Sequence, residues 1–394
     1  MAGTENTGES PTKKHRTNKP TIFDSFKKDF KFLDRLKQSY KLVCYDSALV
    51  LLDIKACDAG VGYGVPFSKS SCATQPYMLE FFPLGSFFCP AMKILSQFLK
   101  NDTIPDDDVM KRLLAKLLMF LIDTEACLKT LTRIKDDEMI KTNALVAAIV
   151  AKEICAKLTL STKYILNHLY GRARCACGMC GLCKVLQDVQ FGDTSIGHKS
   201  AWYGSLDILF PDVFVTVAED PVSPRGKVTF ENKTSNLQEP MTRSKIFSEL
   251  IVFSFLQNKR HPKYSRFIVP SIAVTRDAIK FVFYDSEKDF LLESFEFPWL
   301  YPGNIINYEA VIATWFVMNY KYLSSGTTSC LAKSPRSHFF EFAGEYVEIY
   351  KNELQIGNVH KGYDREQILN QRQVYNIGAK FVWPLDLQEY KENI

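Results

Sequence analysis

Long apolar runs are missing from this chain: the stretch LLAKLLMFLI at 113–122 falls well short of the roughly 18 residues that a membrane-spanning helix needs. The first twenty residues, MAGTENTGESPTKKHRTNKP, have no apolar centre, so neither a signal peptide nor an anchor is expected there. No repeat of fixed period is present, which sets solenoids and propellers aside. A P-loop and a Rossmann glycine fingerprint are also lacking, and no Ser/His/Asp set can be assigned. Charge of one sign is not in large excess. A net charge of +5 permits a polyanionic partner without arguing strongly for one. Eleven cysteines, an odd number without a secretory leader, fit reduced thiols better than a disulfide framework. These absences lead to the expectation of an intracellular protein, nuclear or cytoplasmic and not secreted, with no membrane partner.

What is present is ordinary globular composition. The chain has 394 residues, 46% hydrophobic and 24% charged, so a sizeable core is expected, in two domains or in one enlarged by insertions. Residues 1–20 read as a disordered basic tail, 21–140 as a mainly helical N-terminal region, 141–300 as the core, and 301–394 as a small α+β extension. Phe23, Phe26, Phe30, Leu33 and Leu36 recur at helical spacing, and three further helices fit 91–170. Residues 42–54 look strand-like, 59–90 irregular, and 338–358 like a hairpin. After residue 190 strands take over, then SKIFSELIVFSFLQNK reads as a helix, and FIVPSIAVT and IKFVFYD as a strand pair around Arg276-Asp277. The expected fold class is therefore α/β, with a mixed central sheet flanked by helices.

Two segments carry acidic chemistry on strand faces opposite to apolar ones. In KVTFENKTS, alternation puts Lys227, Thr229, Glu231 and Lys233 on one face and Val228, Phe230 and Asn232 on the other. Upstream, in GHKSAWYGSLDILF, Leu206, Ile208 and Phe210 are expected to share a face and to leave Asp207 opposite. An Asp, then a hairpin carrying Glu-x-Lys, then an amphipathic helix resembles the PD-(D/E)XK nuclease superfamily. The resemblance covers about residues 150–290, with Asp207, Glu231 and Lys233 at the matching positions and Glu249 on the following helix, where many relatives place a polar site residue. It implies a restriction-endonuclease-like core and a metal-dependent nuclease that hydrolyses phosphodiester bonds of DNA or RNA. Asp207 and Glu231 would hold Mg²⁺ or Mn²⁺, because hard divalent ions take oxygen ligands. Lys233 would position the attacking water or stabilise developing charge. The alternatives are a catalytically inactive protein of that fold that binds nucleic acid or acts as a scaffold, and an interaction module organised by a metal-bound cysteine loop.

Further candidates surround this set. Asp212, in the literal Pro211-Asp212 dipeptide, competes with Asp207, and symmetric hairpin arithmetic would place it opposite Lys233. Gly204 favours Asp207, since a bare backbone there would let a phosphate approach. Lys245 and Glu249 are spaced as a surface i, i+4 pair, and Glu153 is an additional acid on the helix before the sheet. Cys175, Cys177, Cys180 and Cys183, within a loop at 175–183, supply four soft ligands for zinc or an iron–sulfur cluster, or remain plain thiols. His198 is either a phosphate contact or a structural histidine. The basic run Lys259-Arg260-His261-Pro262-Lys263 is either a backbone contact to nucleic acid or a solvated helix end.

Overall fold

A computed structural model of the chain describes residues 23, 30–136, 143–173, 189–218, 236–262, 267–326 and 329–359. The expectations placed on 1–20, on Glu231 and Lys233, and on the four clustered cysteines lie outside the described residues.

Helix α1 (Phe30–Lys41) runs through a π-helical turn (Leu42–Asp46) into strand β1 (Ala48–Cys57), which is followed by β2 (Val65–Pro66) and β3 (Cys72–Pro83). Helices α2 (Cys89–Asn101), α3 (Asp108–Ile122), α4 (Thr124–Asp136) and α5 (Asn143–Ile149) come next, α5 continuing helically to Leu158. Asp107 caps α3 by accepting from Met110 N at 2.8 Å, the usual role of an acid beside orphan helix donors. Among the described residues, six short strands follow: β4 (Ile165–Asn167), β5 (Phe191–Gly192), β6 (Ser195–Gly197), β7 (Trp202–Ser205), β8 (Ile208–Leu209) and β9 (Phe214–Val217). Then come α6 (Pro240–Arg260), β10 (Val269–Val274), β11 (Ala278–Asp285), β12 (Phe290–Ser294) and β13 (Phe297–Pro298). The small hairpin β14 (Leu300–Tyr301) and β15 (Ile305–Ile306) precedes α7 (Tyr308–Met318), α8 (Tyr320–Leu323), α9 (Phe339–Ala343), α10 (Val347–Asn352) and β16 (Gln355–Ile356).

The main sheet has the order β3-β1-β12-β11-β10-β9-β8-β4-β5, with β13 pairing β11. It is mixed: β9 and β10 run parallel, as do β4 and β5, and the other neighbouring pairs are antiparallel. Strand alternation divides the core in two. Ile279, Phe281 and Phe283 of β11 face a cluster with α2, α3, α5 and α7. Val282 and Tyr284 face a second cluster with α6, Trp202, Phe339 and Tyr350. The smaller sheet, β16-β6-β7-β2, lies on this second side.

Helix α6 is buried from Ser244 to Gln257 except at Lys245, because it lies between the main sheet and the layer formed by β7, α10 and the turn at Phe67–Lys69. Its serines let neighbours come close. Ser244 Oγ accepts from Cys72 N at 3.0 Å, and Ser248 Oγ is 2.9 Å from Ser70 Oγ. Glu239 caps the helix by accepting from Thr242 N at 2.8 Å, and this bond holds its carboxyl below the usual range.

Several local expectations need correction. Residues 42–46 are π-helical rather than extended. The 59–90 stretch contains the twelve-residue strand β3, whose Pro76 and exposed Met78, Leu79 and Phe81 disguise an edge strand as a loop. The 338–358 segment is two short helices and the strand β16 rather than a hairpin, and the helix expected to reach residue 170 gives way to β4 at Ile165.

Candidate functional site

Asp207 lies where the chain passes from the small sheet (β7) to the main sheet (β8). Leu206 therefore packs into the α6-side cluster, whereas Ile208 and Phe210 pack on the opposite side of the main sheet. The three do not share a strand face as alternation suggested, and Asp207 is only 4% exposed. A buried carboxylate needs donors, and among the described residues Asp207 has three. Tyr170 O–H donates to Oδ1 at 2.6 Å, Val217 N–H to Oδ2 at 2.8 Å, and Lys245 Nζ approaches Oδ2 at 3.3 Å.

A second carboxylate converges on the same lysine. Glu249, one turn along α6 from Lys245, is fully buried, with Oε1 3.8 Å from Lys245 Nζ and Oε2 accepting from Thr216 Oγ1 of β9 at 2.5 Å. Among the described residues Oε1 has no hydrogen-bond partner. Burial pushes this carboxyl up to about 7; Lys245 opposes the rise, Asp207 adds to it, and the Thr216 bond opposes it. Two acids and one ammonium thus meet at the carboxyl end of β9, beside its parallel neighbour β10. Open α/β sheets often place ligands outside the carboxyl ends of such strands.

A separate ionic group fixes the first turn of α6 to the sheet. Arg243 Nη2 donates to Glu293 Oε1 at 2.8 Å and to Thr74 Oγ1 at 3.1 Å, and Lys280 Nζ lies 2.6 Å from Glu293 Oε2. Thr216, Ala273 and Lys280 are register partners across β9, β10 and β11, so both ionic groups belong to the α6 face of the sheet.

The other candidates fall elsewhere. Asp212 pairs with Lys321 at 3.7 Å and lines a small cleft with Gln257, Asn258, His261 and Tyr320. Lys245 and Gln257 are about 18 Å apart along the helix at 1.5 Å per residue, so the two acids do not share a site. His198 accepts from Ser200 N at 3.2 Å and sits 3.7 Å from Glu353, a structural setting at the end of β6. Glu153 pairs with Lys157 on α5. A Cβ at Gly204 would fall 2.4 Å from the Phe67 ring, so its bareness serves packing rather than phosphate approach.

Tyr170 and Thr216 are site residues that the sequence did not reveal. Lys245 and Glu249 leave one signal: they are the only charged residues between Arg243 and Lys259, which favours burial although their i, i+4 spacing alone looks like that of a surface pair. No family model, no curated protein and no solved structure matches the chain.

Proposed function

We propose that the chain is a metal-dependent phosphodiesterase of nuclease type, acting on DNA or RNA, with Asp207 and Glu249 as its described acids and Lys245 as its described cation. The observation that carries this reading is the convergence of two buried carboxylates on one ammonium at the end of a parallel strand pair. The donor set suits a hard divalent cation: two carboxylates offer oxygen only, and Glu249 Oε1 is buried without a hydrogen-bond partner among the described residues. Among the described residues no cluster of three or more His, Cys, Asp or Glu side chains could hold a metal ion, so water and a substrate oxygen would complete the shell of Mg²⁺ or Mn²⁺. Such an ion lowers the pKa of a bound water and polarises a phosphoryl group.

The chain's own residues have distinct tasks. Tyr170 and the Val217 N–H fix the orientation of Asp207, and Thr216 fixes one oxygen of Glu249. Lys245 offsets one of the two negative charges at rest and is placed to meet negative charge that develops on a phosphoryl oxygen. Glu231 and Lys233, the matching positions of the PD-(D/E)XK pattern, remain part of the proposal on sequence grounds.

A second reading, an inactive protein of nuclease type that binds nucleic acid or serves as a scaffold, draws on the completeness of the donors around Asp207. One experiment separates them. The purified protein, given Mg²⁺ or Mn²⁺ and a panel of single- and double-stranded DNA and RNA, should cleave at least one substrate. Asp207→Asn and Glu249→Gln should each lose at least about 100-fold in rate while keeping wild-type circular dichroism, and Lys233→Ala tests the sequence-derived position in the same assay. A wild type inert on every substrate with both metals leaves the inactive reading standing.

A further inference from the structure

Cys57, the last residue of β1, and Cys72, the first of β3, are direct register partners on neighbouring antiparallel strands. Residues opposite one another in such a pair project to the same face. The next pair outward, Asp58 and Ser71, carries the ladder bond, Asp58 N–H to Ser71 O at 3.1 Å, and the Cys72 N–H is taken by Ser244 Oγ rather than by β1. Cys57 and Cys72 therefore occupy a non-hydrogen-bonded position, where the Cα atoms stand about 4.5 Å apart and the side chains are closest. That lies at the short end of the separation a disulfide bridges. Among the described residues neither thiol is in a disulfide.

We propose that Cys57 and Cys72 are a disulfide-forming pair that closes on reaction with a small-molecule disulfide and reopens with thiol reductant. Cys57 is half-buried and Cys72 buried, which sets the order of events. The Cys57 thiolate attacks one sulfur of oxidised glutathione, forming a mixed disulfide and releasing one glutathione thiolate. The Cys72 sulfur then attacks the Cys57 sulfur and releases the second. Two protein thiols are oxidised, one small disulfide is reduced to two thiols, and the two protein protons pass to the departing thiolates. Burial pushes the Cys57 thiol up to about 12 and Cys72 well above the ordinary thiol value, so closure is slow near neutrality and faster in mild alkali. The bond would tie β1 to the edge strand β3 at the residue that Ser244 already holds to α6, next to the Ser70–Ser248 contact.

The test uses the intact native chain, incubated with excess oxidised glutathione in mildly alkaline buffer until thiol loss stops, then alkylated and mapped by mass spectrometry without reduction. The expected product is a cross-linked peptide joining Cys57 to Cys72, with a melting temperature raised by roughly 5 °C and restored by dithiothreitol. Cys57→Ser should remove the cross-link, and Cys72→Ser should leave Cys57 capped by glutathione. The wild-type map stands without either variant. Glutathione left on wild-type Cys57, Cys57 paired with another cysteine, or both sulfurs still alkylated as thiols would each overturn the proposal.

Discussion

Glu249 is the residue at which stability and the proposed chemistry pull against each other. Its carboxyl is buried beneath α6, and that burial raises it to about 7, so the folded protein holds this proton more tightly than the unfolded chain does. A raised acid contributes stability that is complete below the unfolded value, near 4.5, and is lost as pH climbs through the folded value. Glu249→Gln should remove this dependence. Urea unfolding of wild type and variant between about pH 4 and pH 8 should show the wild-type advantage shrinking with rising pH, by on the order of 2–3 kcal/mol. A difference that is flat with pH would mean that Glu249 is ionised throughout. Activity should run the opposite way, since a carboxylate holds a cation and a carboxylic acid does not; cleavage should rise as pH passes through about 7.

Helix α6 holds both ionic groups, and its first turn is the more exposed to a single change. Arg243 and Lys280 share Glu293, and Lys280 is 2% exposed. Glu293→Gln would leave a buried ammonium without its carboxylate, and breaking such a pair typically costs about 3–5 kcal/mol. Because Arg243 keeps its bond to Thr74, the lower end of that range is expected, read as a fall in the urea midpoint with an unchanged slope. The helix itself was legible from its length and apolar content, and the pair β10 and β11 from two β-rich runs around a turn. Asp207 and Glu249 are legible too, as acids flanking apolar positions. What periodicity could not supply was depth. Lys245 and Glu249 at i, i+4 look like a surface pair when the layer covering the helix comes from β7 and α10, at distant points of the chain. Leu206 and Ile208 look co-facial until the strand is seen to change sheets between them. β3 is not legible in the sequence because Pro76 and three exposed apolar residues break its alternation, and an edge strand tolerates both.

At the scale of the molecule, the sheet commits its two faces to two clusters, and neither can dissolve alone. The first draws on residues from Phe23 to Leu331 and the second on residues from Val50 to Leu354. Adjacent residues of one strand go to opposite sides: Leu49 and Leu51 of β1 to the first, Val50 and Leu52 to the second. Unfolding either layer would expose one face of the same strands, so both should melt together despite the length of the chain. Trp202 reports on the second cluster and Trp315 on the first; both are fully buried, and Trp315 Nε1 also donates to Leu113 O at 3.0 Å. Two single-tryptophan proteins, one keeping only Trp202 and the other only Trp315, make the test. In each, the fluorescence transition in urea should superpose on the far-ultraviolet dichroism of the same chain. An early Trp202 transition with most helix retained would show instead that the layer over α6 peels away first. The convergence of Asp207, Lys245 and Glu249 would then depend on a local equilibrium rather than on the fold as a whole.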